Sequence, residues 1–414
     1  MAGVRLFFAS ISHTGVRRTS RWLAPGPQPG MNEDKATRFH RLRRRAAMLA
    51  AAWSVLLLGL LWISNGSALL RDAIERLIDT PSLPRALLAP ATAMVFAWIV
   101  AMVHGAAAFP LSFFAGFILE RRYGLSRQTV GEWCQDHVKA LGLGLAFGGL
   151  SAGVVYLALT TWPDRWWIAT TTGAVTVSLV LTWLAPIVLI PIFFTVRPLE
   201  HEALRARLMA LCARAGTGVV GAYEWRLSRK SSRANAALIG FGSTRRILLS
   251  DTLINDYSAE EIEVILAHEL SHHVSHDLWR ALVAEVGVVG LGFWVGNAVL
   301  HRSIGWFGLG GVADPSGMPL LLLTAMGVSG LALPVVNALS RWHERRADRF
   351  ALDTTRNAAA FISAMKRLGA SNLAEEDPSA FARLFFYTHP PMGDRLEFAR
   401  AWARQAEATA RTNP

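Results

Sequence analysis

The stretch Ser258-Ala259-Glu260-Glu261-Ile262-Glu263-Val264-Ile265-Leu266-Ala267-His268-Glu269-Leu270-Ser271-His272-His273 decides the reading of this chain. Ser258 followed three residues later by Glu261 forms a capping box, and good helix formers follow it. His268 and His272 then lie one turn apart on one helical face, aimed at one metal. Zinc takes neutral imidazole readily, and a carboxylate beside the first ligand can draw a proton from water as that water attacks a carbonyl. Glu269 occupies that position. His273, five residues after His268, points off the ligand face and reads as a supporting or ordinary polar residue.

An HExxH pattern also arises by chance, so its surroundings must carry the argument. The chain has 414 residues, is 52% hydrophobic and only 17% charged, with a mean hydropathy of +0.31. That balance is too apolar for a soluble protein and places much of the chain in lipid. The net charge of +12 comes without any nucleic-acid motif, and the arginines cluster beside apolar stretches. They are better explained by membrane topology, and no nucleic-acid partner is expected. Cys134 and Cys212 stand far apart, so a metal here must rely on histidine and carboxylate.

Residues 1–45 read as a disordered basic extension, with Met31 a candidate start because a charged segment and the first span follow it. Six apolar stretches have bilayer-crossing length, at 46–65, 86–108, 140–160, 168–192, 281–300 and 318–338. The run from Ala108 to Leu119 either continues the second span or forms a separate piece. Residues 46–192 therefore form an N-terminal membrane region and 281–338 a second one. Between them lies 193–280, a catalytic region with the HExxH helix, and 339–414 follows as a second catalytic region. Lys35, Arg38, Arg41, Arg43, Arg44 and Arg45 precede the first span; Arg121, Arg122, Arg127 and Lys139 follow the second. The positive-inside rule puts these segments and both polar regions on the cytoplasmic side.

Within 193–280, Leu204, Leu208 and Leu211 mark a helix, and 218–225 and 238–249 contain strand-like runs. A β-hairpin beside the HExxH helix could offer its edge to an extended peptide, pairing with the backbone. In 339–414, Glu344 and Asp348 are spaced to face one partner from one helix. Glu344 can ligate zinc, and Asp348 can accept the second ring proton of a ligand histidine. Asp136, Asp251 and His343 remain alternative ligands on sequence grounds. Thr388-His389-Pro390-Pro391 is a rigid loop leading to Arg395. His389 could stabilise an oxyanion, and Arg395 could orient it or bind a substrate carbonyl.

Taken together, these residues resemble the CAAX prenyl protease type 1 family, integral-membrane zinc metalloendopeptidases with bacterial members. The resemblance runs from about Pro110 to Arg395 and includes Glu120 to Thr129, Pro186 to Leu199, and Asn235-Ala236 with Gly240 to Ile247. It implies one Zn2+ held by His268, His272 and Glu344, with Glu269 as base and acid and Asp348 behind a ligand. It also implies Asn235, Ala236 and Gly240 in the substrate cleft and His389 with Arg395 at the reacting carbonyl. Ser271 and His273 depart from the glycine and aromatic common in the family, and Arg345-Arg346 from a more neutral pair. The implied fold is mainly α, a polytopic membrane protein. A ring of transmembrane helices, usually seven, surrounds a chamber above a zincin-like catalytic domain with a small β-hairpin.

The expected partners are a peptide or protein substrate and the lipid bilayer, in a bacterial inner membrane with the catalytic face cytoplasmic. A quality-control metalloprotease of the heat-shock type would keep the chemistry and change the substrate. The early membrane region and the His-Pro-Pro element favour the CAAX-like branch. A non-enzymatic metal-binding scaffold or transporter would not need Glu269 and should carry ionisable groups in several spans, where Glu285 is the clearest case.

Overall fold

The computed structural model describes residues 29–184, 188, 192, 195–229, 232–240, 244–305 and 309–412. The first 28 residues of the expected tail, and most of 185–194 at the end of the fourth expected span, lie outside the described residues. The membrane part contains α1 (Pro29–Ile63), the short α2 (Gly66–Ile78), α3 (Arg85–Arg122), α4 (Val130–Thr161), α5 (Trp166–Leu184) and α9 (Asp277–Ser303). It is completed by α10 (Met318–Thr355). Six of these helices, all but α2, are long and apolar enough to cross a bilayer.

Neighbouring contacts close these six into a circuit: α1 packs on α3, α3 on α4, α4 on α5, α5 on α9, α9 on α10, and α10 back on α1. Only 6–28% of the residues in their most apolar windows are buried. The contacts thus trace a ring of helices whose apolar surface is left largely to lipid and to the interior of the ring. The 108–119 run continues the second span: α3 passes through a π-helical turn at Phe114–Ile118 and ends at Arg122. At that turn Gly116 leaves room for the Trp133 indole, which a Cβ would approach at 3.3 Å.

Helices α1 and α4 begin well before their expected starts. Residues 35–45, expected in a disordered extension, are helical and belong to α1. The reason is packing. Phe39 and Ala36 are buried against Leu119, Leu125 and Leu373, while Arg44 forms an ion pair with Glu375 at 2.6 Å. An amphipathic face with a buried partner is worth more than the solvation of its charges. α4 begins ten residues before the expected 140, at a capping box formed by Thr129 and Glu132.

The polar part holds α6 (Glu202–Arg214), α7 (Asp251–Asp256), α8 (Ala259–Val274), α11 (Ala358–Asn372), α12 (Ala380–Phe386) and α13 (Met392–Thr412). Its four-stranded sheet has the order β1-β2-β4-β3, from Val196–Pro198, Gly221–Trp225, Ala236–Ile239 and Arg246–Ser250. The expected hairpin is β3 with β4, antiparallel, whereas β2 and β4 are parallel. Gly240 ends β3 at φ +91°, where an added Cβ would meet the Thr244 carbonyl oxygen at 2.6 Å, so only glycine fits. The core under the sheet joins Ile247, Leu249 and Leu253 to Val264, Leu266 and Leu270 of α8 and to Phe361 of α11.

Candidate metal centre and active site

α8 starts at the Ser258–Glu261 capping box, whose two reciprocal bonds are both present. Its buried face, Ile262, Ile265, Leu266 and Leu270, fixes its rotation against the core. His268 and His272 consequently stand together at one end, with ring centroids 5.2 Å apart and planes at 86°. α10 crosses this helix after leaving the membrane and brings in Glu344 and Asp348, both buried.

Each histidine of the pair has one nitrogen against a supporting carboxylate and turns the other inward. His268 Nδ1 lies 2.9 Å from Asp348 Oδ1, and His272 Nδ1 lies 3.0 Å from Asp277 Oδ2. The Nε2 atoms approach Glu344, at 3.2 Å from Oε2 for His268 and 3.5 Å from Oε1 for His272. One ligand atom from each of His268, His272 and Glu344 falls within 4.8 Å of the others. His389 Nδ1 is 2.7 Å from the same Glu344 Oε2. The His268 and His389 approaches to Glu344 Oε2 lack hydrogen-bonding geometry, so this buried oxygen accepts no hydrogen bond among the described residues.

An orphaned carboxylate oxygen facing two imidazole nitrogens is a poor arrangement for protein alone and a good one for a small dication. Charge supports the same conclusion. Burial alone would lower the His268 pKa, but Asp348 and Glu344 outweigh it and hold the imidazole up to about 10. A divalent cation among these groups supplies the positive charge in place of that proton.

Glu269 is half-buried on the turn that carries His268, and its charge reaches Arg395. Among the described residues no side chain forms an ion pair with its carboxylate. Arg395 sits against Asp348 rather than in the open, with Nε 2.8 Å from Oδ2 and Nη2 2.5 Å from Oδ1. His389 keeps 59% of its side chain exposed beside Glu344, and the charge of Glu344 raises its pKa. From α10, Arg341 donates to the Arg383 and Tyr387 carbonyls at 2.8 and 2.6 Å, and Asn337 to Leu384 at 3.0 Å. The helix bearing Glu344 thus also fixes the end of α12 and the approach to His389.

Of the three candidate ligands left open by spacing, Asp136 and Asp251 have other partners, and His343 lies behind the site against Asp277. Asp136 accepts from Gln128 at 2.7 Å, Asp251 accepts from the Leu227 and Ser228 amides, and His343 is 3.7 Å from Asp277. Asn235, Ala236 and Gly240 lie along or beside β3, the edge strand next to α8. Phe241 to Ser243 lie outside the described residues.

The residue that sequence reasoning missed is Asp277, which also pairs with Arg346 and with Arg280 at 3.3 Å. Its signal was an acid just beyond the helix end, five residues after the second histidine of the HExxH pattern.

The comparisons with known proteins agree with this geometry. The sequence model of peptidase family M48 matches residues 198–403, and that of the CAAX prenyl protease N-terminal region, described as five membrane helices, matches 32–195. The chain is 27% identical over 308 residues to the uncharacterized metalloprotease YhfN of Bacillus subtilis, covering 73% of this chain and 72% of that protein. It is 28% identical to CAAX prenyl protease 1 of Saccharomyces cerevisiae, over 69% of this chain and 67% of the other. The crystal structure of S. mikatae Ste24p superimposes with a TM-score of 0.77 at 20% identity, covering 91% of both chains, and establishes the shared fold. The chain therefore belongs to peptidase family M48, with the membrane region of the CAAX prenyl proteases, and is a multi-pass membrane metalloprotease.

Proposed function

We propose that the chain is a zinc-dependent endopeptidase that cuts peptides at the membrane surface through His268, His272, Glu344 and Glu269. The observation that carries this is the inward turn of both Nε2 atoms onto an otherwise unsatisfied Glu344, with each Nδ1 held by its own carboxylate. Held there, zinc supplies Lewis acidity toward a water and a carbonyl oxygen.

Glu269 takes the proton of the attacking water and returns it to the leaving amine as the C–N bond breaks. His389, with Nδ1 against Glu344, has Nε2 left to donate to the oxygen on which negative charge develops. Arg395 acts through Asp348, which fixes the ring of His268. The substrate backbone pairs with the free edge of β3, reached by Asn235, Ala236 and Gly240.

The basic flanks of the spans support a cytoplasmic catalytic face, in the inner membrane of a bacterium. A prenylated substrate is one candidate, and an unmodified membrane protein cut in quality control is a second. The match to the CAAX-type membrane region favours the first. Detergent-purified protein should cleave a quenched peptide library, lose activity with a chelator, and regain it with zinc. Zinc-independent cleavage would contradict the reading.

A further inference from the structure

The free edge of β3 is shorter than the strand. The Ser250 amide donates to the Asn235 carbonyl at 2.9 Å, which makes Asn235 and Ser250 a hydrogen-bonded pair. The register pairs Ala237 with Leu248 and Ile239 with Arg246, two and four residues on. In an antiparallel ladder such pairs alternate with residues whose N–H and C=O point away from the partner strand. Ala236 and Leu238 therefore point their backbone groups away from β4, along the outer edge of the sheet.

That edge is already partly used. His273 Nε2 lies 2.7 Å from the Leu238 carbonyl oxygen, a bond in which the ring donates. His273 is half-buried, one residue beyond the ligand His272, so the helix carrying the metal site itself closes one acceptor of the strand. Just beyond, Gly240 turns the chain at φ +91°. Among the described residues nothing bonds the outward N–H and C=O of Ala236, while at Leu238 only the N–H is without a partner.

We propose that His273 sets the register and length of substrate pairing: a peptide adds to β3 at Ala236 and leaves the edge at Leu238, whose carbonyl is occupied. This rests on the strand-addition reading above and narrows it to a substrate class. The substrate residue two positions from the one paired with Ala236 needs no backbone N–H. Peptides with proline at that place, or with the chain ending near it, are accepted as well as any other.

The test is a depsipeptide scan of a cleaved peptide, replacing one amide at a time by an ester, which removes an N–H with little change in shape. In the wild type, the ester that removes the N–H facing the Ala236 carbonyl should lower kcat/KM about tenfold, the worth of one hydrogen bond. The ester two residues along, facing Leu238, should change it by less than about twofold. In His273→Leu the second ester should become as costly as the first, and His273→Gln, which keeps a donor, should restore the wild-type pattern.

A variant that merely damages the fold lowers every substrate alike and leaves the pattern unmoved, which overturns the proposal. Equal sensitivity at both positions in the wild type overturns it without any variant. A peptide that is cleaved with no sensitive amide anywhere removes strand addition itself and leaves the metal chemistry standing.

Discussion

Asp277 Oδ2 lies 3.0 Å from His272 Nδ1, so the first residue of a membrane helix orients the His272 ring on the helix before it. Asp277 also gathers Arg280 and Arg346. It fixes the tautomer with Nδ1 protonated and leaves Nε2 for the metal. Loss of such a partner weakens metal binding by about 10- to 100-fold. Asp277→Ala should show that loss in a competition titration against a chromophoric chelator, while Asp277→Asn, which can still accept from Nδ1, should lie between.

Arg395 and Asp348 form the other support. Their side chains are 11% and 2% exposed, and removing one member of such a pair leaves an uncompensated buried charge. Arg395→Ala should destabilise the protein by about 3–5 kcal/mol, read by thermal unfolding in detergent. Arg395→Lys should recover only part of this, because one ammonium cannot match the two-pronged guanidinium contact. If Arg395 instead acts only on substrate, Arg395→Ala should lower turnover with unchanged stability.

Glu375 gives a pH dependence away from the metal. Burial would raise its pKa, but hydrogen bonds from Arg44 and Tyr387 outweigh that and hold it below the ordinary 4.5. A depressed carboxylate stabilises the fold fully above its unfolded pKa and ceases to do so as pH falls through its folded one. The contribution is therefore complete above about pH 4.5 and fades below it. Unfolding measured between about pH 3 and 6 should show Glu375→Gln less stable than wild type at the upper end, with the gap narrowing toward the lower. A gap that stays constant would remove Glu375 from this role.

Much of this architecture was legible locally. Span length and hydropathy gave the six crossing helices, and spacing on single helices gave His268 with His272 and Glu344 with Asp348. What was hidden depends on partners distant in sequence. The basic run 35–45 read as unstructured because its apolar residues are few, and its folding needs Leu373 and Glu375 some 330 positions away. The parallel pairing of β2 with β4 leaves no periodic mark, and the hairpin signal concealed it. Asp277 drew no reading at all, since nothing local shows that its carboxylate meets the His272 ring. Arg395 was read as a contact to the reacting carbonyl, and its burial against Asp348 was hidden because it depends on the crossing of α13 over α10.

The central claim is that Glu269 moves the proton while His268, His272 and Glu344 hold the metal. The direct measurement is single-turnover peptide cleavage with bound zinc quantified on the same samples, for wild type, Glu269→Gln and Glu344→Ala. The account predicts that Glu269→Gln keeps its zinc and loses at least about 100-fold in rate. It predicts that Glu344→Ala loses zinc and activity together. Glu269→Gln cutting as fast as wild type, or Glu344→Ala retaining full zinc affinity, would contradict it.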